Sequence, residues 1–144
     1  MKVDQLKALL AHQTEIIGKI ALETDLQLCL EDIAQHVETI FSSPFAYSSI
    51  LILEGNQLVH GAAPNLPKAY SEQINGVRIG GSVCSCGTAA FTGKQVIVSD
   101  IENDPLWVDY ASLALHHQLR SCWSTPVMSS TGKVLGTFAI YYSK

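Results

Sequence analysis

The feature that most constrains this chain is a change of hydrophobic period around Pro44. Before it, apolar residues recur at helical spacing; after it, they alternate or run in short β-branched blocks. Residues 2–22 predict a helix on which Val3, Leu6, Leu10, Ile17 and Ile20 fall on an a/d heptad seam. Gln13 alone breaks that seam, and Leu9 and Ile16 widen the stripe. Thr24, with Gln27 three residues on, reads as a capping box. It opens a second helix to about Phe41, with a core face of Leu26, Leu30, Ile33, Val37 and Ile40. Ser42-Ser43-Pro44 ends it.

Tyr47–Leu53 and Gln57–Ala62 then predict two strands joined by a Glu54-Gly55-Asn56 turn. Leu66–Asn75 is polar and Pro-bounded, which predicts a loop with a helical turn around Ala69–Gln73. Val77–Ile79 is extended, a short helix runs from Gly80-Gly81-Ser82 through Ala90 with Gly93 closing it, and Gln95–Ser99 is a strand. An irregular segment at Asp100–Asp109 leads into a helix over Tyr110–Gln118. Arg120–Met128 and Lys133–Tyr142 form a final hairpin. This order predicts an α+β domain, an antiparallel sheet with helices packed on one side. The expected organisation is a connecting helix over 1–23 and a domain over 24–144. Because the last strand runs almost to the final residue, a domain excised from a longer protein, or one that has lost its output module, is expected.

At 144 residues the chain fits one domain. It is 47% hydrophobic and 15% charged with a formal net charge of −4, which excludes a general phosphate-tracking surface and hence nucleic acid as a partner. No apolar run approaches the ~20 residues that span a bilayer, and Asp4, Lys7, His12 and Glu15 interrupt any secretory pattern. Cys29, Cys84, Cys86 and Cys122 form no dense disulfide framework, so a reduced, cytoplasmic setting is expected.

The second half carries ordered motifs: Ile79-Gly80-Gly81-Ser82-Val83-Cys84-Ser85-Cys86-Gly87-Thr88-Ala89-Ala90, then Val98-Ser99-Asp100-Ile101-Glu102-Asn103-Asp104-Pro105-Leu106-Trp107. Leu119-Arg120-Ser121-Cys122-Trp123-Ser124-Thr125-Pro126-Val127 and Gly132-Lys133-Val134-Leu135-Gly136-Thr137-Phe138 follow. From about Leu26 to the C-terminus the chain resembles the GAF domain family of sensory modules, and more closely the subtype found in bacterial diguanylate cyclases, phosphodiesterases and histidine kinases. The resemblance implies a central antiparallel sheet with the N-terminal helices on one face. On the other, a loop and short-helix layer over 82–125 walls a small-molecule pocket. It also implies a further helix after the last strand, leading to an output domain, which this sequence lacks.

Trp107 and Tyr110 are the expected aromatic walls of that pocket, opposite Cys122 and Ser124 from the sheet, with Cys86 and Ser82 from the short helix and its lead-in. Trp107 can equally serve as a core plug, and Gly80-Gly81-Ser82 as a plain turn rather than an anion cradle. The Asp-Glu pair that ends the motif of cyclic-nucleotide-binding GAF domains is absent. Free methionine-(R)-sulfoxide reductases, built on the same fold, also carry Cys-Gly-Thr-Ala, but of their three cysteine positions only Cys86 remains. Gly76 stands before Val77-Arg78-Ile79, and Asp100–Ala111 holds no cysteine. Cys29, Cys86 and Cys122 therefore read as small buried hydrophobes. Cys84-x-Cys86 is too tight for a zinc knuckle. His116 and His117, about 100° apart on a helix, put at most one ring towards the pocket. They more often cap the last turn, which argues against haem. Asp109-Tyr110 stands where photoreceptor GAF domains attach a bilin.

The expected function is a small-molecule-sensing regulatory domain of bacterial signal transduction, not an enzyme. It would pair as a homodimer through the N-terminal helix and pass ligand state to an attached output domain, its ligand unidentified and no membrane involved. The alternatives are a reductase-like redox enzyme and a ligand-free dimerisation module.

Overall fold

The computed structural model describes residues 26–41 and 45–143. The apolar seam from Val3 to Ile20 and the Thr24 cap lie outside them. The elements run α1 (Leu26–Phe41), β1 (Ala46–Glu54), β2 (Gln57–Ala62), α2 (Lys68–Ile74), β3 (Val77–Arg78) and α3 (Cys84–Thr92). There follow β4 (Val96–Val98), a 3-10 turn (Pro105–Trp107), α4 (Ala111–His116), β5 (Ser121–Met128) and β6 (Val134–Tyr142). The strands make one sheet in the order β3-β2-β1-β6-β5-β4, every neighbouring pair antiparallel. This is the expected α+β architecture.

Alternation along each strand divides the sheet into two faces. Ala46, Ile50, Phe138, Ile140 and Val127 pack against Leu30, Ile33, Ala34 and Val37 of α1. That i, i+3, i+4, i+7 stripe is the predicted one with a correction: Ile40 is 39% exposed, and Ala34 is fully buried in its place. The helix sits close because Ala34 is small, and Ser48 Oγ donates to its carbonyl at 2.8 Å.

The opposite face carries Leu51, Cys122, Ala139 and Tyr141, covered by α2, α3, the 3-10 turn and α4. Leu66–Asn75, expected to be a loop with one helical turn, holds a full short helix. Tyr70, Ser71 and Ile74 of α2 are buried, so tertiary packing overrides a polar sequence with no side-chain cap. Two glycines permit close backbone approach. Gly61 is the extra residue of a bulge, where Ile50 pairs with Ala62 but Leu51 with His60. A Cβ on Gly136 would meet the Leu51 carbonyl oxygen across the central β1–β6 ladder. No helix among the described residues is long and apolar enough to cross a membrane.

Candidate functional site

The Cys-Ser-Cys-Gly-Thr-Ala-Ala run forms α3, and residues 84–90 are all buried. Its local chemistry explains the residues. A Cβ on Gly87 would stand 2.8 Å from the Val83 side chain, so only glycine lets the helix start here. Thr88 Oγ1 accepts from the Val83 N–H at 3.1 Å and donates to the Cys84 carbonyl at 2.6 Å, closing the first turn. Gly93 ends the helix in the left-handed region at φ 69°, its N–H on the Ala89 carbonyl.

Asp104 places the aromatic wall. Its carboxylate accepts from the Leu106 N–H at 2.9 Å, Pro105 supplies the first turn residue, and Trp107 turns inward to 1% exposure. The Trp107 indole N–H donates to Ser85 Oγ at 3.1 Å, and that hydroxyl donates to the Cys122 carbonyl at 3.0 Å. Tyr141 receives the Tyr70 hydroxyl at 3.1 Å, with ring centroids 5.5 Å apart for this pair and 6.3 Å for Trp107–Tyr141.

Strand register supplies the floor. Cys122 pairs with Tyr141, Ser124 with Ala139 and Pro126 with Thr137, so these six side chains share the face beneath α3. Cys86 reaches Cys122, Ser124, Thr137 and Tyr141 from above, and is fully enclosed. Ala139, fully buried at the middle of that patch, leaves room for the sulfur.

Of the expected site residues, Cys86, Cys122 and Ser124 thus meet in one cluster, and Trp107 packs in the same core with Tyr110 half-buried at its margin. Ser82 lies elsewhere, exposed on the turn before α3. His117 packs edge-on against Tyr70 at 5.8 Å, while His116 is exposed. Sequence reasoning missed Ser85, Tyr70, Thr137 and Tyr141. Only the period-2 pattern of β6, which puts Thr137 and Tyr141 on one face, hinted at any of them. Among the described residues no group of three or more His, Cys, Asp or Glu could hold a metal ion.

The GAF domain family model matches residues 23–144. The chain belongs to the GAF domain family. It is 36% identical over 133 residues to the methyl sulfide methyltransferase-associated sensor of Methanosarcina acetivorans, which is 92% of this chain and 13% of that protein. The chain thus spans a small part of the relative's length. In fold this GAF domain is similar to a GAF sensor protein from Burkholderia vietnamiensis (20% identity, TM-score 0.68, 99% of this chain and 81% of that one). It is likewise similar to the free methionine-R-sulfoxide reductase of Neisseria meningitidis with its substrate bound (21% identity, TM-score 0.60, 89% and 69%).

Within this GAF domain the three buried thiols, all free, differ in their ionisation. Cys86 is lowered to about 7, first by its hydrogen bond from Cys122, then by Ser124, Thr137 and Tyr141, against a burial cost. Its burial is as expected from the sequence. Burial raises Cys84 to about 12 and pushes Cys122 up, with the neighbouring Cys86 adding to both. The buried Ser124 and Thr137 hydroxyls, which help to lower the Cys86 thiol, have no hydrogen-bond partner. Burial likewise raises Tyr70 and Tyr141 well above the usual phenol range.

A separate open cleft of about 430 Å³ lies at the other side of the domain, lined by Glu31, His60, Lys68, Ser71, Glu72 and Asn75 among others. Apart from the buried Ser71, whose hydroxyl also has no hydrogen-bond partner, its polar groups are at least partly exposed and of mixed sign. The enclosed cluster has the concentrated chemistry, and we assign the candidate site there.

Proposed function

We propose that this GAF domain is the sensory module of a signalling protein, reading a small molecule at the layer between β5–β6 and α3 and passing the change to an attached output domain. One observation carries the reading: Ser124 and Thr137, both fully buried, keep hydroxyls with no hydrogen-bond partner. Each such group costs about 1–3 kcal/mol in a finished core, and a polar ligand entering beside Cys86 would relieve that cost. Trp107, Tyr110, Tyr70 and Tyr141 supply the rigid apolar walls a ligand site needs. The sensor name of the Methanosarcina relative supports the same class. A homodimer formed through the Val3–Ile20 seam is the proposed assembly, and a reduced cytoplasm the proposed setting.

Native mass spectrometry of protein purified from its own host tests the reading. A co-purifying small molecule that is lost in a Ser124→Val, Thr137→Val variant supports it. Protein that is always ligand-free, with the same urea midpoint in the double variant, argues instead for a ligand-free dimerisation module.

The lowered Cys86 thiol favours weighing the reductase reading as well. Turnover of free methionine sulfoxide with dithiothreitol as reductant, abolished by Cys86→Ser, would establish it. No turnover is the expected result, because neither Gly76 nor the 100–111 segment supplies the other thiols of those enzymes.

A further inference from the structure

The open cleft bordered by α1, β2 and α2 contains a buried hydroxyl without a partner. Lys68, Ser71, Glu72 and Asn75 all line it. They stand at i, i+3, i+4 and i+7, one face of α2 and its C-cap. Tyr70 and Ile74, on the helix's other side, are buried in the core. α2 is pinned to β2 at its C-terminal end, where the Gly76 N–H bonds the Leu58 carbonyl and the His60 N–H bonds Asn75 Oδ1, both at 2.8 Å. Ser71 is 9% exposed, and its hydroxyl is unpaired. A local partner exists for such a group: Thr88 and Thr92 of α3 donate to the carbonyl four residues back, at 2.6 and 2.8 Å. Ser71 gives the Pro67 carbonyl only its backbone N–H. On the same face Lys68 and Glu72 are exposed, opposite in charge and one helical turn apart. Neither makes an ion pair among the described residues. Ala63, Pro64 and Leu66 supply an apolar wall.

We infer that this cleft is a second binding site, separate from the layer under α3, for a free α-amino acid with an uncharged side chain. An ammonium–carboxylate ligand is what the α2 face complements. The carboxylate accepts from the Lys68 ammonium and the Ser71 hydroxyl, and the ligand's ammonium donates to the Glu72 carboxylate. A simple anion would meet Glu72 unfavourably, and a simple cation would meet Lys68 in the same way; only a zwitterion satisfies both. The ligand's own backbone groups balance the two charges of α2, so the side chain is left to the Ala63–Leu66 wall, which is apolar. The volume of about 430 Å³ is in the range of small-molecule sites. Binding here supplies the Ser71 hydroxyl with the partner that the fold denies it. It also bears on the rest of the domain through α2. Tyr70, the neighbour of Ser71 on the core side, donates to the Tyr141 hydroxyl at 3.1 Å.

The test titrates the isotope-labelled full chain with L-alanine, L-serine and L-methionine and follows amide chemical shifts by two-dimensional NMR. Acetate and methylammonium at the same concentrations serve as half-ligands. The expected result is a saturable response to at least one amino acid with a Kd of about 1 mM or tighter, centred on residues 60–76, and no saturable response to either half-ligand. Lys68→Gln and Glu72→Gln change exposed side chains, so both variants should fold, and each should weaken binding about tenfold or more. Ser71→Ala should weaken binding while raising the urea midpoint of the ligand-free domain, because an unpaired buried hydroxyl is removed. No saturable shift with any of the three amino acids would overturn the assignment. So would an equal response to acetate or methylammonium, or full affinity in the Lys68 or Glu72 variant. Shifts centred on α3 and β5 would also overturn it, and would place the ligand in the other layer.

Discussion

Ser85 bonds Trp107 on one side and the Cys122 carbonyl on the other, at 3.1 and 3.0 Å. A single fully buried hydroxyl therefore joins α3, the 3-10 turn and β5. Ser85→Ala leaves the indole N–H without an acceptor inside the core. The expected loss is about 1–3 kcal/mol in urea unfolding. Adding Trp107→Phe to that variant should cost less than Trp107→Phe alone, because the indole donor is already orphaned. Fully additive losses would mean that the two side chains do not act as one unit.

Stability in reducing buffer should rise with pH from neutral and then turn down. Cys86 ionises near 7 in the fold, below its ordinary value of 9.0. Its contribution is therefore complete above that ordinary value and is lost as pH falls through about 7. Cys122 and Cys84 are shifted the other way. Their contributions fade as pH rises past the ordinary thiol value, since only the unfolded chain then ionises. Urea midpoints should peak at roughly pH 8–9, and Cys86→Ser should remove the rising limb. A wild-type midpoint that stays level from pH 7 to the peak region would contradict the thiolate assignment.

Gly136→Ala should be among the most damaging single-methyl additions. The new Cβ meets the Leu51 carbonyl and lies 3.2 Å from the Ile52 Cα, both backbone and neither able to swing away. A loss of about 1–3 kcal/mol is expected from this overpacking. Thermal unfolding compared with Gly132→Ala, where no atom stands within 4 Å, separates the steric cost from the backbone strain at φ 85°.

Gln118 ends α4 in the left-handed region at φ 63°. Its N–H bonds the Leu115 carbonyl and the Leu119 N–H bonds that of Ala114, a Schellman ending with a non-glycine at its special position. Gln118→Gly should stabilise the domain by about 1 kcal/mol, read as a higher urea midpoint. A lower midpoint would show that the side chain matters more than the backbone there.

Leu6→Glu with Ile17→Glu should convert the proposed dimer to monomer in sedimentation at tens of micromolar of the full chain. A monomeric wild type, or a variant that still dimerises, removes the seam as the interface.

Much of the fold was legible because its elements are periodic. The α1 stripe, both hairpins and the Gly93 ending of α3 followed from spacing and turn chemistry. Ile40 misled because it continues an apolar stripe, whereas Ala34, small and unremarkable in the sequence, sets how closely α1 approaches β1. Residues 68–74 read as loop because Pro67 and polar side chains hide a helix that exists only to bury Tyr70 and Ile74. The site was legible in part. Trp107 and the residues of β5 stood out as aromatic and small polar groups near motifs. The chemistry of Cys86 did not, because it arises from strand register: Ser124, Thr137 and Tyr141 become its neighbours only when β5 and β6 pair around Ala139. No local pattern reports on a partner so distant in the chain.

The placement of β1 beside β6 at the centre of the sheet has a consequence for biosynthesis. Ala46 pairs with Tyr142 and Ile52 with Gly136, so the central ladder is made almost entirely of contacts between distant parts of the chain. Such topology makes folding slow, since loop closure is required before the ladder can form. While a ribosome is still translating the final hairpin, β1 has no Thr137, Ala139 or Tyr141 to pair with. The floor beneath Cys86 is therefore completed only once β6 has been made, and the three buried thiols of the domain stay open to the surrounding solution until then.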